Sequence, residues 1–170
     1  NLLTTDAGIV SEGILVASVD ARLPGLPPDQ RRLTFDLMSE RIAAQPGVDA
    51  VAQVMMSPFS GQGWNGSVRG DQAGAEQWQE SWFNRVGPGF FSTMQTRLVA
   101  GREFTARDDR SAPQIAIVNE EFARKVFAGA NPVGRTFRMD APAGEEFQTF
   151  EIVGLVANTK YGGLREDTRA

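Results

Sequence analysis

Gly61-Gln-Gly-Trp-Asn-Gly66 has the G-x-G-x-x-G spacing of a dinucleotide-binding loop. In that motif the last glycine opens a helix, whose free N–H groups meet a pyrophosphate. Here Ser67-Val-Arg-Gly-Asp-Gln-Ala-Gly74 follows, a run too rich in glycine and turn formers to start one. The expectation is a connector. Arg69-Gly70-Asp71 in the same run is the tripeptide read by some cell-adhesion receptors, and turn chemistry accounts for it as readily.

Carboxylates come in adjacent pairs: Asp108-Asp109, Glu120-Glu121, Glu145-Glu146 and Glu166-Asp167. A hard cation needs several oxygens converging at short range, but neighbours on a helix or strand point apart. No pair has the alternating spacing and glycine of a calcium loop. Glycoside hydrolysis would need two carboxylates facing across a cleft. Trp78, Trp82, Phe90, Phe91, Phe104, Phe122 and Phe127 would line a groove or, more simply, fill a small core. No catalytic, cofactor-binding or metal-ligating residue is assigned.

Composition narrows the chemistry further. The 170 residues contain no His and no Cys, which removes imidazole acid–base catalysis, thiol nucleophiles and His/Cys metal sites. Seventeen basic against 21 acidic residues give a net charge of −4, the wrong sign for a nucleic-acid partner. No run approaches the roughly 18 apolar residues of a membrane span. Neither the charged nor the apolar part of a signal peptide is present. The chain starts at Asn1, so a segment of a longer protein is expected.

The elements follow from periodicity. Ile14–Val19 and Val48–Met56 read as strands. Between them Leu33, Leu37, Met38 and Ile42 recur at helical spacing after Pro28 and Asp29, and Pro46-Gly47 stops the helix. The Pro24–Pro28 run reads as a turn and Ser57–Gly74 as a loop or hinge. Gln77–Val86 is an expected strand, Pro88–Met94 a short helix and Ile115–Val118 another strand. Asn119 caps a helix with Glu120 and Glu121 in its first turn, a Phe122/Val126/Phe127 stripe, and Gly129 at its close. Thr136–Met139 and Phe147–Val156 pair antiparallel across Asp140–Glu146. The class is α+β in two lobes.

Val86-Gly-Pro-Gly-Phe-Phe-Ser-Thr-Met94, Leu98-Val-Ala-Gly-Arg-Glu-Phe104, Ile115-Ala-Ile-Val-Asn-Glu-Glu-Phe-Ala-Arg124, Asn131-Pro-Val-Gly-Arg135 and Glu151-Ile-Val-Gly-Leu-Val156 occur in this order. Together with Gln45-Pro-Gly-Val48 they resemble the extracytoplasmic core domain of MacB/FtsX-type ABC transporter permeases. The likeness is greatest to the multi-permease branch seen in acidobacteria. It runs from about Gly8 to Leu164.

The resemblance implies a periplasmic domain set between the first two of four membrane helices, on the outer face of the bacterial cytoplasmic membrane. It implies a mechanotransmitter: membrane-helix motion, driven by a cytoplasmic ATPase subunit, would act on an external substrate or partner protein. The domain itself would not be an enzyme. Implied partners are the membrane helices of the same chain, the ATPase subunit, and a second permease protomer or a periplasmic protein.

The resemblance divides the chain into a partial porter-like strand–helix–strand lobe at 1–56, a Gly-rich connector at 57–74, an inserted α+β lobe at 75–157 and a tail at 158–170. Such relatives complete the first lobe with a further strand–helix–strand segment. Unpaired strand edges in 1–56 therefore lead us to expect disorder there or self-association with another chain. Arg102 is expected to satisfy carbonyls or to pair with Asp108 or Asp109, and Gly101, Gly134 and Gly154 to mark bends or close backbone approaches. Two other readings remain open: a stand-alone module binding a small molecule between lobes, and a carboxylate-dependent hydrolase.

Overall fold

The strand with the most neighbours is also the last of the described strands in sequence. In the computed structural model, which describes residues 12–19, 27–72, 77–108, 112–142, 144–161 and 169–170, nine elements follow one another. They are α1 (Pro28–Ala43), β1 (Trp64–Gly70), β2 (Gln79–Phe83), α2 (Phe90–Thr93), β3 (Leu98–Gly101), β4 (Ile115–Asn119), α3 (Glu120–Phe127), β5 (Thr136–Met139) and β6 (Gln148–Val156). The strands form one sheet, so the class is α+β as expected.

β6 organises that sheet. Its first half pairs antiparallel with β5, through Phe137↔Phe150. Its second half pairs antiparallel with β3, through Gly101↔Gly154. β4 lies parallel along its opposite edge, from Ile115↔Glu151 to Asn119↔Val156. Beyond β5 come β1 and then β2, each antiparallel to its neighbour.

Where β5 gives way to β3, backbones nearly touch. An added Cβ on Gly101 would run into the Val153 carbonyl oxygen, and one on Gly154 into that of Arg102. Gly101 also has φ +76°, a conformation that L side chains avoid. Gly134 serves a different need: it turns the chain into β5 at φ +82° with open space around it.

α3 closes one face of the sheet. The Asn119 side chain accepts a hydrogen bond from the Phe122 N–H at 2.9 Å, while Glu120 and Glu121 occupy the positive end of the helix. At the other end Ala128 turns left-handed, and the Gly129 N–H donates to the Ala123 carbonyl at 2.9 Å. Phe122, Ala123, Val126 and Phe127 pack on Val68, Val118, Phe137, Ile152 and Leu155. Phe127 is 1% exposed and Ile152 0%. Complete burial of a side chain of this size contributes roughly 1.5–3 kcal/mol.

Three expectations need correction. The run 57–74 is not only a connector, because it holds β1, which pairs on both edges. Its glycines make room: a Cβ on Gly63 would enter the Trp82 ring, and one on Gly70 would come within 3.1 Å of Val126 and 3.3 Å of Phe127. Second, Ile14–Val19 and Val48–Met56 form no strands, apart from one isolated bridge, Val54↔Val86. Apolar β-branched content marks a segment fit for burial, but a strand exists only with a partner, and Leu15 stands 93% exposed. Third, the second unit's first strand is shorter than expected, ending at Phe83. The Pro24–Leu26 part of the expected turn, with Asp109, Glu166 and Asp167, lies outside the described residues.

Candidate functional surface

The glycine motif sits on β-structure. Gly66 is mid-strand in β1 opposite Ser81, with no helix behind it to gather phosphate oxygens. The Arg-Gly-Asp run is consumed by local packing. The Arg69 guanidinium lies 5.0 Å from the Trp78 ring centroid, Gly70 abuts α3, and Asp71 accepts from the Thr136 N–H at 3.0 Å and from its hydroxyl at 2.6 Å.

Of the paired carboxylates, Asp108, Glu120 and Glu121 are similarly engaged. Asp108 takes both Arg102 guanidinium nitrogens, at 2.7 and 2.9 Å, together with the N–H and hydroxyl of Thr105. The Arg102 hydrogen bonds hold its carboxyl well below the usual carboxylate range, although partial burial works the other way. A carboxylate so saturated fixes a loop and has no proton to give at neutral pH. It lines a shallow open depression with Arg102, Thr105, Ala106 and Arg107. Glu121 pairs with Arg124 at 2.6 Å and Lys125 at 3.8 Å, while Glu120 reaches Arg97 at 3.5 Å and accepts from the Asn158 N–H at 3.3 Å. Among the described residues no three acidic groups gather as a metal site.

The aromatics divide. Phe90, Phe122 and Phe127 are buried, as a core reading requires, whereas Trp78 and Trp82 are exposed. Strand alternation puts Asn65, Ser67 and Arg69 of β1 opposite the α3-covered face. On that open side Trp78 meets Phe147 at 5.4 Å, and the Arg169 guanidinium stacks 4.1 Å over Trp82. Phe147 escaped the sequence reading, because one aromatic at a strand start carries no spacing signal.

A second feature had a clue that composition alone offers: the chain has one tyrosine. The Tyr161 hydroxyl donates to the Met56 carbonyl at 2.5 Å and accepts from the Asn84 amide nitrogen. Asn84 also donates to the Met56 carbonyl at 2.8 Å and accepts from the Met56 N–H at 3.1 Å. Burial pushes the Tyr161 hydroxyl up to about 12, so it keeps its proton at any physiological pH.

Comparison with known proteins gives the setting. The family described as the MacB-like periplasmic core domain matches residues 3–169. The periplasmic region of MacB from Actinobacillus actinomycetemcomitans superposes with TM-score 0.52 at 18% identity, over 72% of this chain and 50% of that one. The extracellular domain of YknZ, a noncanonic ABC-type transporter from Gram-positive bacteria, superposes with TM-score 0.48 at 19% identity, over 69% of this chain and 54% of that one. The chain thus spans about half the length of these solved domains. No curated protein matches it.

Proposed function

The chain belongs to the MacB-like periplasmic core domain family, and from that premise we propose that it is the extracytoplasmic part of an ABC transporter permease that relays membrane-helix motion to a substrate or protein outside the membrane. The relay is mechanical and the segment makes no bonds itself. A cytoplasmic ATPase subunit supplies the energy, membrane helices of the same polypeptide supply the movement, and a second protomer or a periplasmic protein receives it. In this reading residues 1–56 are part of a porter-like lobe and the sheet is the lobe inserted into it.

The observation that carries the proposal is an imbalance within the described residues. The sheet has a closed core under α3, whereas α1 turns Leu33 and Leu37 outward at 63% and 55% exposure. A helix of this kind belongs against a surface supplied by more chain or another chain. No described helix is long and apolar enough to cross a membrane.

The test is topological and then functional. The segment has no cysteine, so Thr149→Cys on exposed β6 gives a single reporter within it. In intact cells making the full-length permease, a membrane-impermeant maleimide should label that site before lysis. In liposomes with the ATPase subunit, ATP should change the labelling rate. Labelling only after lysis, or a purified domain that turns over substrate, would end the proposal.

A further inference from the structure

Chain reaches β1 through residues 53–59 and continues from β6 through 157–161, ahead of Arg169 and Ala170, which hydrogen-bond to Asn119 and Trp82 of the sheet, and the first two passages are fastened to each other. On the entering side, the Gln53 amide donates to Asp36 and to Ser39 of α1, both at 3.1 Å. The Gln53 carbonyl accepts from the Gly87 N–H at 2.8 Å, and the Met55 N–H donates to the Arg85 carbonyl at 2.9 Å. That is a bridge of two backbone hydrogen bonds, too short to be a strand.

Asn84 lengthens it. Its side-chain amide gives and takes a hydrogen bond with Met56, as a backbone neighbour in a ladder would. On the leaving side, Asn158 accepts from the Glu121 N–H at 2.9 Å, which pins the chain to the start of α3. Three residues later Tyr161 reaches Met56 through its hydroxyl and takes the Phe59 N–H on its carbonyl at 2.7 Å. Hydrogen bonds joined by two short stretches of chain, 158–161 and 53–56, therefore lead from α3 to α1.

We propose that Asn84 and Tyr161 lock these two passages into a rigid joint, so that a displacement of α1 turns the whole sheet unit instead of being absorbed by the connecting chain. This deepens the motion-relay reading and rests on it. Without the joint, Gly61, which has open space around it, and a two-bond bridge would be left between α1 and the sheet, an arrangement that bends. The Tyr161 hydroxyl suits a permanent pin because it stays protonated and half-shielded from water.

Spin labels at Glu40→Cys on α1 and Thr149→Cys on β6, in the full-length permease, read the joint directly. One narrow distance distribution is expected. In both Tyr161→Phe and Asn84→Ala the width should at least double, and amide exchange at residues 55–59 should rise about tenfold. Protection of β6 and α3 should not change, which separates a loosened joint from an unfolded domain. A broad distribution in the parent protein, or parental width in both variants, overturns the inference. So does a loosened joint that leaves ATP-driven changes in the domain intact, because the joint would then transmit nothing. A parent protein that never responds to nucleotide would sink the relay reading instead, and the width comparison would still decide whether the joint is rigid.

Discussion

α3 is eight residues long and hides its apolar side chains, whereas α1 has sixteen and displays them. Both carry hydrophobic residues at helical spacing. α3 also has a side-chain cap, acids at its start, bases at its end and a left-handed stop. α1 has Pro27 at its cap position with no side-chain hydrogen bond, and it touches the passage 53–59 at Gln53 through Asp36 and Ser39. In α3 the apolar residues share one face, whereas in α1 Leu33 and Leu37 lie on a different side from Met38 and Ile42; the difference teaches that apolar content states what a helix needs, and says nothing of whether the same stretch of chain supplies it.

Substitutions sharpen that contrast, beginning under α3. Phe127→Ala should destabilise the domain by about 3–5 kcal/mol in urea unfolding, the range for truncating a buried aromatic. A loss below about 1 kcal/mol would mean that the α3 interface is not the core. Gly154→Ala comes next. Its methyl group would meet the Arg102 carbonyl, and overpacking of this kind costs about 1–3 kcal/mol. Unfolding midpoints compared with those of Gly134→Ala, where space is open but φ is positive, separate collision from backbone strain.

The Arg102–Asp108 bracket gives a smaller, pH-dependent effect. The Asp108 carboxyl titrates lower in the folded chain than in the unfolded one. Its contribution is therefore present above the ordinary carboxylate value of 3.8 and is lost as pH falls toward the lower folded value. Because Arg102 is half-exposed, the contribution should be below about 1 kcal/mol. Asp108→Asn should flatten the acid limb of a urea-midpoint profile between about pH 2 and 5 and leave the slope above it unchanged. The smallest effect belongs to α1: Leu37→Ser in this segment should change stability by less than about 0.5 kcal/mol. A loss above about 2 kcal/mol would show Leu37 to be covered after all.

Residues whose role is local could be read in advance. Asn119, Glu120, Glu121 and Gly129 announce α3 because cap, dipole and stop lie within a dozen positions. Thr136–Met139 and Phe147–Val156 read as a hairpin across the Asp140–Glu146 loop, and the pair forms with the second strand starting at Gln148. Of the partners expected for Arg102, Asp108 pairs with it and the Glu103 carbonyl accepts from it, since the two charged groups lie six positions apart on one loop. Long-range roles stayed hidden. Gly63, Gly66 and Gly70 look like a hinge until Trp82, Phe83, Val126 and Phe127 are seen crowding them. Ile14–Val19 looks like a strand because apolar content is visible in a sequence and the neighbour is not. The Tyr161 pin joins positions 105 residues apart, and no spacing rule spans that distance.

The place of β6 bears on how the domain is made. Three strands lie against it, yet it is the last of the described strands to leave the ribosome. Until residue 156 emerges, β3, β4 and β5 have no common neighbour, and their apolar faces wait uncovered. Biogenesis should therefore depend on a chaperone or on rapid completion of the chain, and a nascent polypeptide stalled before Gln148 should be the protease-sensitive, aggregation-prone species.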